Sequence, residues 1–265
     1  MSRSPWSDIA VGTGVGGLSG FLGIGGGIFL VPYLTTIGKV PQKPAQATSL
    51  VLVFMGAASA TIMYGLQASV AWIPALLILV GGLAGVFIGS SIMLRSADHV
   101  LRIIFGIVLI LVAIRMMFPS PSDAEPGMAS MPELTAGIGL LYVASGVFMG
   151  AVSALLGVGG GIILVPILVT ILGYHQQLAN GTSLAVMTVI ALLGAMRFSR
   201  EGLTDWRAGL VLGSGAVIGA FLGAAVALEL SSEVIRLVFA ILLGLIGANM
   251  VREGVRMRRA NRVQP

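Results

Sequence analysis

Long apolar stretches alternate with short polar breaks along the whole chain, and they resolve into eight hydrophobic segments. The first four, A to D, cover about 6–37, 45–66, 72–94 and 99–118. A polar, acidic, proline-rich stretch, PSPSDAEPGMASMPE, occupies 119–133. Four more segments follow: A′ at 134–173, B′ at 178–198, C′ at 206–230 and D′ at 233–251. A helix crosses the hydrocarbon of a bilayer in about 20 residues. Six segments have that length. A and A′ are too long for one straight crossing, and each carries a cluster of glycines. The pattern predicts an all-α polytopic membrane protein. Its parts are a first transmembrane repeat (1–118), a linker (119–133), a second transmembrane repeat (134–251) and a basic tail (252–265).

The two halves are copies. LGIGGGIFLVPY at 22–33 returns as LGVGGGIILVPI at 156–167, an offset of 134 residues. The same offset pairs Ser19 with Ser153, Thr48 and Ser49 with Thr182 and Ser183, Trp72 with Trp206, and Arg102 with Arg236. Apolar composition alone does not hold one register across hydroxyl, aromatic and charged positions.

Composition sharpens the class. Hydrophobic residues make up 57% and charged residues 9%, against about 25% charged in an ordinary soluble domain. The 38 glycines fit helices that approach closely or break inside protein. With no cysteine and two separated histidines, the sequence offers no disulfide, thiolate or histidine metal cluster, and no metal or cofactor is expected. Five arginines, 252, 256, 258, 259 and 262, crowd the C-terminal end. In this setting they mark the cytoplasmic side rather than a nucleic-acid surface.

Charge also chooses between topologies. If A and A′ are re-entrant, each repeat crosses three times and the repeats are inverted. The inner side then carries Arg3, Lys39, Lys43, Arg95, Arg102, Arg197, Arg200, Arg207 and the five C-terminal arginines, leaving Arg115 and Arg236 outside. If all eight segments cross, five basic residues fall outside in the better orientation. The positive-inside rule favours the inverted arrangement, with both termini in the cytoplasm and the linker outside. Each arm of a re-entrant segment is expected to be about half of it, reaching the midplane from one side.

Non-helical backbone within a bilayer needs protein or a watery cavity around it. Glycines at the start of a half-helix leave N–H groups open, and the helix dipole adds partial positive charge. Gly25, Gly26 and Gly27, with Gly159, Gly160 and Gly161, are therefore candidate anion-binding residues. Gln46, Thr48 and Ser49, with Asn180, Thr182 and Ser183, are the candidate polar side chains beside them. Their hydroxyls suit either donation to an oxyanion or capping and back-bonding within the helix. Pro32 and Pro166 shape the half-helices, and Trp72 and Trp206 suit the membrane interface. No carboxylate lies well inside a segment. No coupling ion is legible, and an inside-negative potential alone favours anion exit by about 2.3 kcal/mol per charge per 100 mV. Nucleophile, base and orienting group converge nowhere, and the glycines lack the strand and acidic residue of a dinucleotide fingerprint, so no enzyme is expected.

The doubled LGxGGGxxLVP, each copy followed by a small-residue Thr-Ser stretch, resembles the TauE/SafE sulfite exporter family of membrane permeases. The likeness runs from about Gly12 to Val251, through both halves. It implies a multi-pass protein of the bacterial inner membrane that moves sulfite, sulfonates or related organosulfur anions. It also implies eight transmembrane segments, where the charge count here favours six crossings and two hairpins. The expected function is a secondary transporter of small oxyanions, its partners being the anion and the bilayer. A passive anion channel and a non-transporting scaffold subunit are the alternatives, and assembly into a homo-oligomer stays open.

Overall fold

The computed structural model describes residues 5–95, 98–118, 132–157 and 159–263, and every regular element among them is helical. The helices are α1 (Pro5–Leu22), α2 (Gly27–Thr36), α3 (Gln42–Leu66), α4 (Trp72–Arg95) and α5 (Asp98–Met117). Then come α6 (Ala136–Leu156), α7 (Gly161–Thr170), α8 (Gln176–Arg200), α9 (Trp206–Glu229) and α10 (Ser232–Val263). Segments B to D and B′ to D′ are single helices. Segments A and A′ each split at their glycines into a long helix and a short one. Most of the linker, 119–131, lies outside the described residues.

Among the described residues, six helices, α3, α4, α6, α8, α9 and α10, are long and apolar enough to cross a membrane. α2 and α7 have 10 residues each, about 15 Å, or half a bilayer core. Large apolar side chains cover the outside of the bundle: Leu140 is 70% exposed and Leu245 66%. Water would not tolerate a surface of that kind, whereas lipid does. The protein is an all-helical polytopic membrane protein.

Small residues set the packing. A Cβ built on Gly12, Gly16 or Gly20 of α1 would strike the backbone of Leu212, Ala216 or Ala220 in α9. Gly215, Gly219 and Gly223 of α9 meet Ile9, Thr13 and Gly17 in return. Residue numbers rise together along this seam, so α1 and α9 run parallel with backbones in direct contact. The same seam joins α4 and α6 through Gly81, Gly85 and Gly89 against Val143, Val147 and Ala151. Helices at matching places in the repeats run in opposite directions. Gly194 of α8 meets Leu50 of α3, and Gly181 meets Tyr64 and Ser69. Gly106 of α5 meets Gly247 and Val251 of α10.

One expectation needs correction. The arms of segment A are unequal, with 18 residues in α1 and 10 in α2, because α1 follows α9 well past the centre before it breaks. The basic stretch from 252 on continues α10 as far as Val263. Hydropathy falls near Val251, but arginine, methionine and alanine are good helix formers, and no proline comes before Pro265.

Candidate functional site

The glycine clusters reverse the chain. Gly23, Gly25 and Gly26 have φ of 73°, 80° and 70°, and Gly157, Gly159 and Gly160 repeat this with 66°, 91° and 82°. Left-handed backbone costs other residues about 1–2 kcal/mol each, so three such positions this close together select glycine. The reversal is tight. α1 ends at Leu22, yet a Cβ at Gly26 would lie 2.8 Å from Val15 Cγ1 and 3.3 Å from Ser19 Cβ, a full turn or more back along α1. In the second copy a Cβ at Gly160 would lie 2.6 Å from Met149. The return is also visible at the far end of α7, where the Tyr174 and Tyr142 hydroxyls share a 2.8 Å hydrogen bond.

The two breaks touch. A Cβ at Gly161 would lie 2.4 Å from the Gly23 carbonyl oxygen. Ser49 of α3 donates to the Gly157 carbonyl at 2.6 Å, and Ser183 of α8 donates to the Gly23 carbonyl at 3.1 Å. These are the same bond in the two copies. Each break is thus held by a hydroxyl from the other repeat. Losing either bond would leave a buried carbonyl unpaired, at a cost of about 1–3 kcal/mol.

The remaining polar candidates also pair across the repeats. Thr48 Oγ1 accepts the Asp205 N–H at 3.0 Å, and Thr182 Oγ1 accepts the Ala71 N–H at 3.0 Å. The starts of α3 and α9 therefore lie together on one face, and those of α8 and α4 on the opposite face. Asn180 donates to the Phe21 carbonyl at 3.1 Å and accepts from Gln176 at 3.0 Å. Gln46 packs under Gly157 as Asn180 packs under Gly23. All six polar candidates are buried. The hydroxyl donors of Ser49 and Ser183 are engaged with backbone carbonyls.

The backbone N–H groups are less committed. Gly26 and Gly160 are the N-caps of α2 and α7, and neither helix start has a side-chain cap. Among the described residues, the N–H groups of Gly26 and Ile28, and those of Gly160 and Ile162, make no hydrogen bond. Each break therefore presents a helix N-terminus with open donors, the arrangement that favours negative charge.

Three residues gain a place that sequence reasoning did not give them. Ser19, known only as one half of a repeat pair, is buried beside Gly26. Arg236, counted as an outer-side charge, is 4% exposed and donates to the Phe118 carbonyl at 3.2 Å. The end of α5 leaves carbonyls unpaired, and the guanidinium reaches one of them. Arg197 stands 5.0 Å over the Phe87 ring, with its Nε donating to Ser90 at 2.7 Å.

An apolar helical bundle whose chain breaks at two buried glycine clusters is a polytopic membrane protein, and its relatives are of the transporter class. The chain belongs to the family described as sulfite exporter TauE/SafE, whose profile matches residues 1–116 and 142–265. It is 26% identical over 265 residues to the "probable membrane transporter protein YunE" of Bacillus subtilis (strain 168), spanning 93% of this chain and 97% of that one. It is 28% identical over 230 residues to a "probable membrane transporter protein" of Xylella fastidiosa (strain 9a5c), 85% of this chain and 87% of that one. It is also similar to the "probable membrane transporter protein MJ0441" of Methanocaldococcus jannaschii, at 26% over 262 residues, covering 92% and 94%. No solved structure matches the chain.

Proposed function

We propose that this chain is a secondary transporter of small oxyanions, with sulfite and sulfonates as the substrate class. The observation that carries the reading is the contact between two matched glycine breaks, each offering open N–H groups at a helix start. Backbone donors hold an anion without placing a fixed charge in lipid, whose burial would cost several kcal/mol. Gly25–Gly27 and Gly159–Gly161 line the binding region in this reading. Thr48, Ser49, Thr182 and Ser183, with Gln46 and Asn180, hold that backbone in place. Proteoliposomes containing the chain are expected to take up sulfite or methanesulfonate with saturable kinetics. Transport of only cations or neutral solutes sinks the reading, and flux that never saturates turns it into an anion channel.

In the bilayer the reading gives two inverted repeats, each of three crossings and one re-entrant hairpin, so that α5 crosses although it is not among the six most apolar long helices, and the long apolar α6, like α1, is a hairpin arm. The antiparallel course of α3 with α8 and the tight reversals at Gly26 and Gly160 support it. The N-terminus, the loop at Lys39 and the end of α10 then face the cytoplasm of a bacterial inner membrane, by the positive-inside rule. The chain has no cysteine, so introduced ones report cleanly. A membrane-impermeant maleimide on intact cells is expected to label Gln67→Cys and to leave Lys39→Cys untouched. The opposite pattern overturns the orientation.

A further inference from the structure

The two breaks match in backbone but not in the side chains around them. Val15 stands against Gly26 in the first, and the 134-residue offset puts Met149 at the same place against Gly160 in the second, where Met187 and Val53 also close on Gly159. Both methionines are completely buried. A Cβ at Gly160 would lie 2.6 Å from Met149 Cγ. One at Gly161 would lie 2.6 Å from Met187 Sδ and 2.9 Å from Ser183 Oγ, and one at Gly159 would lie 2.4 Å from Met187 Cε. The thioether chains fill the space before the first turn of α7, and α5 packs against that helix as well. Ile162 and Ile163 in that turn are 1% and 6% exposed.

The first turn of α2 is built differently. The shorter Val15 stands there, and Ile28 and Phe29 are half-buried. Beside this turn lies Ser19, 1% exposed, whose hydroxyl finds no hydrogen-bond partner among the described residues. Its Cβ is 3.3 Å from the place where a Gly26 Cβ would stand. A helical serine usually settles its hydroxyl on the carbonyl one turn back, as Ser145 does on Leu141 at 2.7 Å. A hydroxyl buried without such a partner is costly, and an anion seated at the helix start would accept its proton.

We infer that the chain has one oxyanion site, not two. It lies at the N-terminus of α2, where the N–H groups of Gly26 and Ile28 and the hydroxyl of Ser19 take a small oxyanion of the sulfite or sulfonate type. The matching break at α7 is a closed copy, plugged by Met149 and Met187. The inference rests on the anion-transport reading and narrows it to one repeat.

The test uses the full chain in proteoliposomes, with sulfite and methanesulfonate as probes, and the anion-free melting temperature as a check on folding. Ser19→Ala is expected to raise the half-saturating sulfite concentration at least fivefold with melting unchanged. Ser19→Cys keeps the volume but replaces the hydroxyl with a weak thiol donor, and is expected to raise it similarly. Ser153→Ala is expected to stay within twofold of the parent. An equal loss in Ser153→Ala restores two sites and overturns the inference. So does wild-type affinity in Ser19→Ala or Ser19→Cys, the latter assigning Ser19 a packing role. In each of those outcomes the parent still transports, and the broader reading stands. A parent chain that moves neither anion removes the broader reading and the site with it.

Discussion

Valine in place of Gly16 is expected to lower the melting temperature of the detergent-solubilised protein by about 2–12 °C. The Cβ would stand 2.6 Å from both the Cα and the carbonyl oxygen of Ala216, and backbone cannot move aside as a side-chain tip can. Overpacking a tight contact costs about 1–3 kcal/mol, and here the seam repeats every fourth residue on both sides, so one displaced turn shifts its neighbours. For a chain of this size 1 kcal/mol moves the midpoint by roughly 2–4 °C. Gly14 supplies the control. It lies one turn or less from Gly12 and Gly16 on the same helix, yet nothing stands within 4 Å of a Cβ built there. Gly14→Val is expected to melt with the parent protein. Equal melting of all three proteins would mean that α1 does not pack on α9 through this seam.

The second large effect is on transport. Gly26→Leu is expected to abolish sulfite flux in proteoliposomes. The substitution puts a side chain where φ is 70°, at about 1–2 kcal/mol, and places its Cβ 2.8 Å from Val15 Cγ1 and beside Ser19. Gly202→Leu separates strain from blockage. Gly202 has φ of 68°, lies in the turn between α8 and α9, and has nothing within 4 Å of a built Cβ. It carries the same backbone cost without touching the breaks, and flux is expected to persist. Equal loss in both variants would show that strain alone is responsible.

Much of this architecture can be read from the amino acids, because it rests on local signals. Length and hydropathy mark the spans, the 134-residue offset marks the copies, and glycine triplets mark the places where helix must stop. What escaped is set by partners far away in sequence. Ser49 and Ser183 looked able to serve a substrate, but the carbonyls they meet lie 108 and 160 residues off. Nothing near either serine announces such a partner. Arg236 reads as a surface charge until the end of α5 is known to finish beside it. The unequal arms of the first hairpin follow from how far α1 runs along α9, again a distant contact. The exchange of Val15 and Val53 for Met149 and Met187 is plain in the aligned repeats. Its meaning appears only once these residues are known to wall the breaks.

The seam between α1 and α9 also sets a schedule for biosynthesis. α1 leaves the ribosome long before α9, the helix its glycine face requires. At about 5–20 residues per second, some ten seconds or more pass before α9 emerges. Through that interval the bare backbone of α1 has only lipid, the insertion machinery or its own hairpin partner beside it. The first half therefore reaches its final packing only after α9 has emerged, and truncation anywhere before α9 strands an unfinished hairpin in the membrane.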